Sequence, residues 1–317
     1  MKKILFTSVG RRVELVQQFR NAANGLNMTV EIYGGDIDMT APALCFCDKK
    51  VMLPKINASN YILFLIEYCK ENSIDLVIPT IDTDLLILAR EKHRFEDNGV
   101  KVLISKLDKV NLCRNKNFTA EYFEYLGLKA PHTVNDVHIY TAGFPAFIKP
   151  KDGSSSINAF RVENMEDLIS RSQRMSDYVV QPFVEGKEYT VDVLCDFEGN
   201  PIFITPRERL AVRAGEVLKT KIHHDETIIN DIKMIINDFK PCGPITVQLI
   251  QEDSTGINYF IEINPRFGGG APLSMKAGAN SAIAILQMLN SEELQYVHCA
   301  AKENSLFSRF DQSIQIL

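Results

Sequence analysis

Residues 246–270, TVQLIQEDSTGINYFIEINPRFGGG, restrict the chain more than any other stretch. Two apolar runs flank Asp253-Ser254-Thr255-Gly256, a turn sequence, so the segment reads as an antiparallel hairpin. In the second run the strand period puts Phe260, Glu262 and Asn264 on one face and Ile261 and Ile263 on the other. The hairpin brings Gln248 beside that polar face. Oxygen donors grouped on a rigid sheet suit a hard cation such as Mg²⁺, with its remaining positions left to water and phosphate. A lone Glu-x-Asn is satisfied by any polar strand face. Gln248, Pro265, Arg266 and the glycines at 268–270 are what turn it toward a site, because a strand ending in charge, Pro and Gly-rich backbone packs poorly and suits a ligand.

Upstream, residues 1–106 alternate strand and helix patterns. Apolar runs at 3–7, 30–36, 51–54, 75–80 and 100–104 read as strands. Helical spacing appears at 11–23 and 61–72, and Asp82-Thr83-Asp84 reads as the cap of a further helix. Strands separated by helices imply parallel pairing in a doubly wound α/β sheet, whose ligands sit at strand C-ends. Gly10-Arg11-Arg12, Asp36 and Asp82 fall at such ends and are placed to hold part of a substrate. A dinucleotide site is not expected, since Gly10 stands alone and Arg11 and Arg12 occupy positions where the pyrophosphate fingerprint needs small residues.

Residues 108–127 read as a helical region with Phe118, Tyr122 and Leu126 on its apolar face, stopped at Gly127. A strand at 144–150 ends in Lys149. The polar loop 151–156, KDGSSS, links it to a strand at 158–162, a hairpin tip whose N–H groups and hydroxyls suit phosphate. A helix at 163–176, strands at 178–186, 188–194 and 201–205, and an amphipathic helix at 227–240 follow. Arg207, Arg209, Arg213 and Lys219 bracket Ala214-Gly215-Glu216 and are candidate holders of a substrate carboxylate. After Asn290 one short helix and a loosely held end are expected.

Several classes drop out. The net charge of −5 offers no basic field for nucleic acid. No apolar run approaches the roughly 18 residues of a membrane span, and the opening MKKILF reads as a strand rather than a leader. The seven scattered cysteines fit reduced thiols of a cytoplasmic protein, and no Cys or His pairs carry zinc spacing. There is no P-loop and no nucleophile elbow.

The order Lys116, Lys149, Gly-Ser loop, Gln181-Pro182-Phe183-Val184, Glu188, Gln248, Glu262-x-Asn264-x-Arg266 resembles the ATP-grasp superfamily. It is most similar to a single grasp unit of the carbamoyl phosphate synthetase large chain and its small stand-alone relatives. The resemblance implies an N-terminal Rossmann-like pre-ATP-grasp parallel sheet (1–106) and an ATP-grasp domain with two α+β subdomains (107–290, the small lid at about 115–183), then a tail (291–317). It implies that Lys116 and Lys149 hold the α- and β-phosphates, and that Gly153, Ser154, Ser155 and Ser156 close over the γ-phosphate. By the same resemblance Gln181, Pro182, Phe183 and Val184 meet the adenine edge, Gln181 standing where relatives often have Glu, and Glu188 takes the ribose. Gln248, Glu262 and Asn264 would ligate two Mg²⁺ ions, replaceable by Mn²⁺, and Arg266 would steady the transferring phosphoryl group.

The implied activity is ATP-dependent, ADP-forming ligation of a small carboxylate to an amine through an acyl-phosphate. The implied partners are small-molecule substrates, with no nucleic acid and no membrane, and a homodimer is an allowed assembly. Carbamoyl phosphate synthesis itself is not expected, because the synthetase large chain carries two grasp units and this chain carries one. The alternative reading is a non-catalytic, ATP-binding regulatory protein that keeps the grasp fold.

Overall fold

A computed structural model describes residues 1–151 and 158–316. The N-terminal part runs β1 (Lys2–Thr7), α1 (Val13–Gly25), β2 (Val30–Asp36), β3 (Lys49–Met52), α2 (Tyr61–Asn72), β4 (Leu76–Pro79), α3 (Asp82–Arg90), α4 (Lys92–Glu96) and β5 (Lys101–Val102). Its sheet is parallel throughout, in the order β3-β2-β1-β4-β5. Both faces are covered, which is why these strands read as unbroken apolar runs. Phe6, Val16 and Phe19 pack on one side with residues of the last helices, and Leu5, Tyr61, Leu65 and Leu88 on the other.

The expected helix over 108–127 is two helices, α5 (Leu107–Arg114) and α6 (Lys116–Tyr125). Asn115 between them is extended, and its side chain accepts the Asn117 N–H, so it caps a new helix instead of continuing the old one. The break turns Phe118 outward, 55% exposed, and buries Phe123 beside Tyr122. A small antiparallel sheet follows, with β6 (Ala146–Pro150), β7 (Phe160–Val162), α7 (Met165–Ser172) and β8 (Tyr178–Pro182) in the strand order β7-β6-β8. The loop residues Gly153, Ser154, Ser155 and Ser156 lie outside the described residues.

The large sheet is built from β9 (Gly186–Cys195), β10 (Pro201–Arg213) and β11 (Glu216–Ile222), then α8 (Glu226–Phe239), β12 (Pro244–Glu252) and β13 (Asn258–Asn264). After α9 (Ala271–Ala277) and α10 (Ser281–Leu289) the chain returns as β14 (Leu306–Ser308), giving the order β13-β12-β9-β10-β11-β14. The tail thus ends as an edge strand on β11, where a short helix was expected. β10 also runs well past residue 205, so Arg207, Arg209 and Arg213 stand on a strand and Ala214-Gly215 is its hairpin turn.

α8 lays Ile228, Ile229, Ile232, Ile235, Ile236 and Phe239 on one face of this sheet, against Val191, Val193, Val247, Phe260 and Ile263. Each such side chain contributes about 1.5–3 kcal/mol by leaving water, and Asp225 caps the helix by accepting from Thr227 and Ile228. With one face committed to α8, the polar residues of β9, β10, β12 and β13 must face the other way.

Candidate active site

The hairpin contains an irregularity that decides the site. Val247 pairs with Ile263 and Gln248 with Glu262, but Leu249 pairs with Phe260, which leaves Ile261 as an extra residue. This β-bulge changes the alternation locally. Phe260 and Ile263 both enter the core, so Phe260 does not share a face with Glu262 as strict alternation implied. Glu262 and Asn264 stay together on the open face.

Register extends that face across four strands. Arg207 on β10 is opposite Thr190 on β9, Thr190 is opposite Gln248 on β12, and Gln248 is opposite Glu262 on β13. The next row out holds Thr205, Asp192, Thr246 and Asn264. Side chains directly opposite in a sheet lie close on one side, so residues far apart in sequence converge. The cleft above them has a volume of about 370 Å³, and Gln248, Glu262, Asn264, Arg266, Arg207 and Arg209 line it. Thr190, Thr246 and Glu216 of the same sheet also line it, and from outside the large sheet come Arg12 and Asp82.

The oxygen set fits a hard cation. Glu262 Oε1 accepts from Asn264 Nδ2 at 2.8 Å. The Gln248 amide lines the cleft and has no hydrogen-bond partner among the described residues. That leaves carboxylate and amide oxygens directed at the same space, the donor chemistry Mg²⁺ prefers.

Lys149 is buried at the end of β6, and burial pulls its pKa down to about 8; Glu262 opposes the shift and Lys116 adds to it. Lys149 therefore lies within electrostatic reach of both Glu262 and Lys116. Lys116 Nζ donates to the Lys151 carbonyl at 2.8 Å. Glu188 carries a raised pKa for the same first reason, burial, opposed by Arg209 and reinforced by Glu262. Its Oε1 stands 3.2 Å from Arg209 Nε.

The segment after β8 has the backbone for an adenine edge. Gln181 is fixed by Nε2 donating to Thr133 Oγ1 at 2.7 Å, and the Phe183 N–H donates to Pro145 O. Pro182 has no N–H, and the Val184 N–H has no acceptor among the described residues. Of the stretch 182–184 it is therefore the donor left for a ligand.

The four basic candidates separate. Arg207 lines the cleft but is only 1% exposed; Nε and Nη2 are committed to Asp192 at 2.7 and 3.3 Å, and Nη1 to Thr220. Arg209 is held by Glu188 and donates to the Gly215 carbonyl at 2.9 Å. Arg213 stands outside the cleft, exposed and paired with both oxygens of Asp311 at 2.9 Å, and exposed Lys219 does not line the cleft either. Gly270 explains how Arg207 gets so close: a Cβ there would meet its Nη2 at 2.7 Å, so only glycine admits it.

Asp82 and Asp84 do not cap α3, whose N-cap is Ile81 without a side-chain bond. Asp82 instead binds Arg266 bidentately through Nε and Nη2, joining the N-terminal part to the end of the hairpin. Asp84 is buried, accepts from Thr7 and Ser8, and burial pushes its pKa up to about 6. Asp36 holds the loop after β1 by accepting the Gly10 N–H at 2.8 Å. Thr190, Thr246, Glu216 and the Asp82–Arg266 pair were not singled out as site residues by sequence reasoning. Strand register brings in the threonines and packing between the two parts of the chain brings in the rest, and no local pattern encodes either.

Two features lie elsewhere. A larger cavity, 610 Å³, sits between the β9–β10 turn and the segment after α10, and none of the sequence candidates reaches it. Glu226, His298 and Cys299 place ligand atoms within 4.8 Å of one another on the surface, a grouping no Cys or His spacing announced. All seven cysteines are free, and no helix among the described residues is long and apolar enough to cross a membrane.

Comparison with known proteins fits this geometry. Residues 113–270 match the ATP-grasp domain family and residues 4–103 the PylC-like N-terminal domain family. D-alanine--D-alanine ligase B of Clostridium perfringens is 21% identical over 225 residues, 61% of this chain and 74% of that protein. The carbamoyl phosphate synthase large chain of Saccharolobus islandicus is 23% identical over 205 residues, 57% of this chain but only 19% of that protein. The biotin carboxylase domain of the Hydrogenobacter thermophilus 2-oxoglutarate carboxylase, solved with MgADP, ADP and bicarbonate, superposes with a TM-score of 0.74 at 18% identity. That superposition covers 96% of this chain and 73% of that one, and speaks for the fold. The chain belongs to the ATP-grasp superfamily. Within it, the chain combines a grasp domain with a PylC-like N-terminal domain.

Proposed function

We propose that the chain is an ADP-forming ligase that joins a small carboxylate to an amine through an acyl-phosphate. The supporting observation is the row Thr190–Gln248–Glu262, with Asn264 beside it, Arg266 held at its end by Asp82, and buried Lys149 acting on it from the small sheet. In this reading the domains divide at about 106/107 and 290/291, with the lid at about 115–183.

Mg-ATP lies between the small and large sheets. Lys116 and Lys149 bind the α- and β-phosphates as point charges, the Val184 N–H and its neighbours meet adenine, and Glu188 accepts from the ribose. Mg²⁺ held by Gln248, Glu262 and Asn264 supplies charge neutralisation on the phosphates. A substrate carboxylate oxygen bonds to the γ-phosphorus in line as the bond to the β-bridging oxygen breaks and ADP leaves. Arg266 offsets the charge on the phosphoryl group. The amine then bonds to the acyl carbon and inorganic phosphate departs with the carboxylate oxygen, the amine proton passing to solvent. Positioning does most of the work, and no protein nucleophile is required.

The test supplies Mg-ATP with panels of carboxylates and amines and measures ADP. Wild type releases ADP with at least one pairing, and Glu262→Gln releases less by about a hundredfold or more. Equal release by the two proteins sinks the reading, and tight ATP binding without turnover in any pairing favours a regulatory protein.

A further inference from the structure

Four arginines line the cleft: Arg12, Arg207, Arg209 and Arg266. Three are already neutralised, Arg207 by Asp192, Arg209 by Glu188 and Arg266 by Asp82. Arg12 is not. Among the described residues no carboxylate lies within ion-pair distance of it, and its recorded side-chain bond is a long one, Nη2 to Thr80 O at 3.4 Å. The cleft carboxylates are engaged elsewhere: Asp82 by Arg266, Glu216 by Arg309 at 3.4 Å, and Glu262 by Asn264 Nδ2 at 2.8 Å. Burial, and after it the neighbouring Arg266, pull the Arg12 pKa below its ordinary value, while Glu216 and Asp82 oppose the shift from beyond ion-pair distance.

The backbone puts Arg12 there by design of the fold. Ser8 and Gly10 turn the chain with φ of 51° and 45°, Asp36 fastens the Gly10 N–H, and Arg12 enters α1 directly after. From β1 the chain goes to β2 on one side and later returns to β4 on the other. The gap between the C-ends of β1 and β4 is thus the topological switch point of the sheet, where open parallel sheets form their binding crevice. Thr80 and Asp82 stand at the end of β4 in that gap, and the large sheet closes the opposite wall.

Resting on the ligase reading, we propose that Arg12 binds an anionic group carried by a substrate in addition to the carboxylate that is activated. The activated carboxylate belongs beside Glu262 and Arg266. A second anion, a carboxylate in the simplest case, completes the ion pair that Arg12 lacks. The enzyme therefore takes either a dicarboxylic acid as donor or an amino acid as acceptor, one chemistry with two carriers. Arg12 is a binding and selectivity residue, not a participant in phosphoryl transfer.

The experiment uses the full chain with Mg-ATP. Donors are two- to six-carbon dicarboxylates, each paired with the monocarboxylate of equal length. Acceptors are α-amino acids, each paired with its decarboxylated amine. In one of the two arms wild type prefers the additional carboxylate by about tenfold or more in kcat/KM. Arg12→Met loses that preference, mainly through KM, with its melting temperature and Mg-ADP affinity retained, and Arg12→Lys restores part of it. A parallel reading needs no turnover: with Mg-ADP present, the preferred dianion or amino acid raises the melting temperature of wild type and not of Arg12→Met. Wild type without preference in either arm and without such a shift, or Arg12→Met retaining both, overturns the proposal. Loss of ADP release from every pairing alongside an Arg12-dependent shift overturns the ligase reading and leaves the anion site standing.

Discussion

The two sheets build polar sites by different means. In the parallel N-terminal sheet both faces are buried, so Arg12, Asp36, Thr80 and Asp82 all sit at or beyond strand C-ends. In the large antiparallel sheet one face belongs to α8 and the other is open, so Arg207, Thr190, Gln248 and Glu262 stand on the strands themselves. Residues on hydrogen-bonded strands are fixed more firmly than residues on loops. The structure therefore sets a strand-built wall against a loop-built wall, catalytic and recognition surfaces in the proposed reading, and the Asp82–Arg266 ion pair joins them.

This division can be broken at its strongest point first. Glu262→Ala removes the carboxylate from the rigid wall and lowers ADP release by about a thousandfold, whereas Gln248→Ala, losing an amide, lowers it by about tenfold. The reverse order in a Mg-ATP assay means the two roles are assigned wrongly. Next comes the framework beneath the row. Arg207→Leu leaves Asp192 buried, with Ser274 Oγ as its remaining donor, and lowers unfolding free energy by about 3–5 kcal/mol in urea denaturation. A loss below ~1 kcal/mol would show that Arg207 is a free substrate ligand after all.

Lys149 supplies a test by pH. Its free-state pKa, lowered to about 8, means that nucleotide phosphate binds the protonated form and raises that pKa again. ATP affinity is then level below pH 8 and falls by up to about tenfold per unit above it. Lys149→Arg, always charged, removes the fall; a wild-type affinity unchanged from pH 7 to 10 contradicts the role.

The smallest effect is expected in the N-terminal sheet. Asp84 has a folded pKa near 6, above its ordinary value of 3.8, so its contribution to stability is present below about pH 4 and is lost as pH rises through 6. Asp84→Asn therefore gains stability relative to wild type at pH 8 and not at pH 4. Thermal unfolding at the two values reads this directly, and a gain of equal size at both would mean that Asp84 is not the titrating group.

The same division explains what the sequence disclosed. The Rossmann-like sheet was legible because buried parallel strands are apolar runs and its helices are amphipathic. Glu262, Asn264 and Arg266 were legible because they sit together in one strand and its end. The bulge at Ile261 was not: one extra residue leaves composition unchanged while reversing the face of Phe260. The split of the 108–127 helix at Asn115 had a visible agent, an Asx cap, but Asn inside a helical pattern has no unique reading. Arg12 and Asp82 appeared only as residues at strand ends. Their difference, one without a counter-ion and one locked to Arg266, depends on partners distant in the chain.

The central claim is that a carboxylate is activated as an acyl-phosphate in front of the Glu262 wall, and oxygen transfer tests it most directly. With a productive substrate pair, a carboxylate carrying heavy oxygen isotope should deliver one labelled oxygen to the inorganic phosphate, seen by mass spectrometry. Unlabelled phosphate released in step with product would contradict the account.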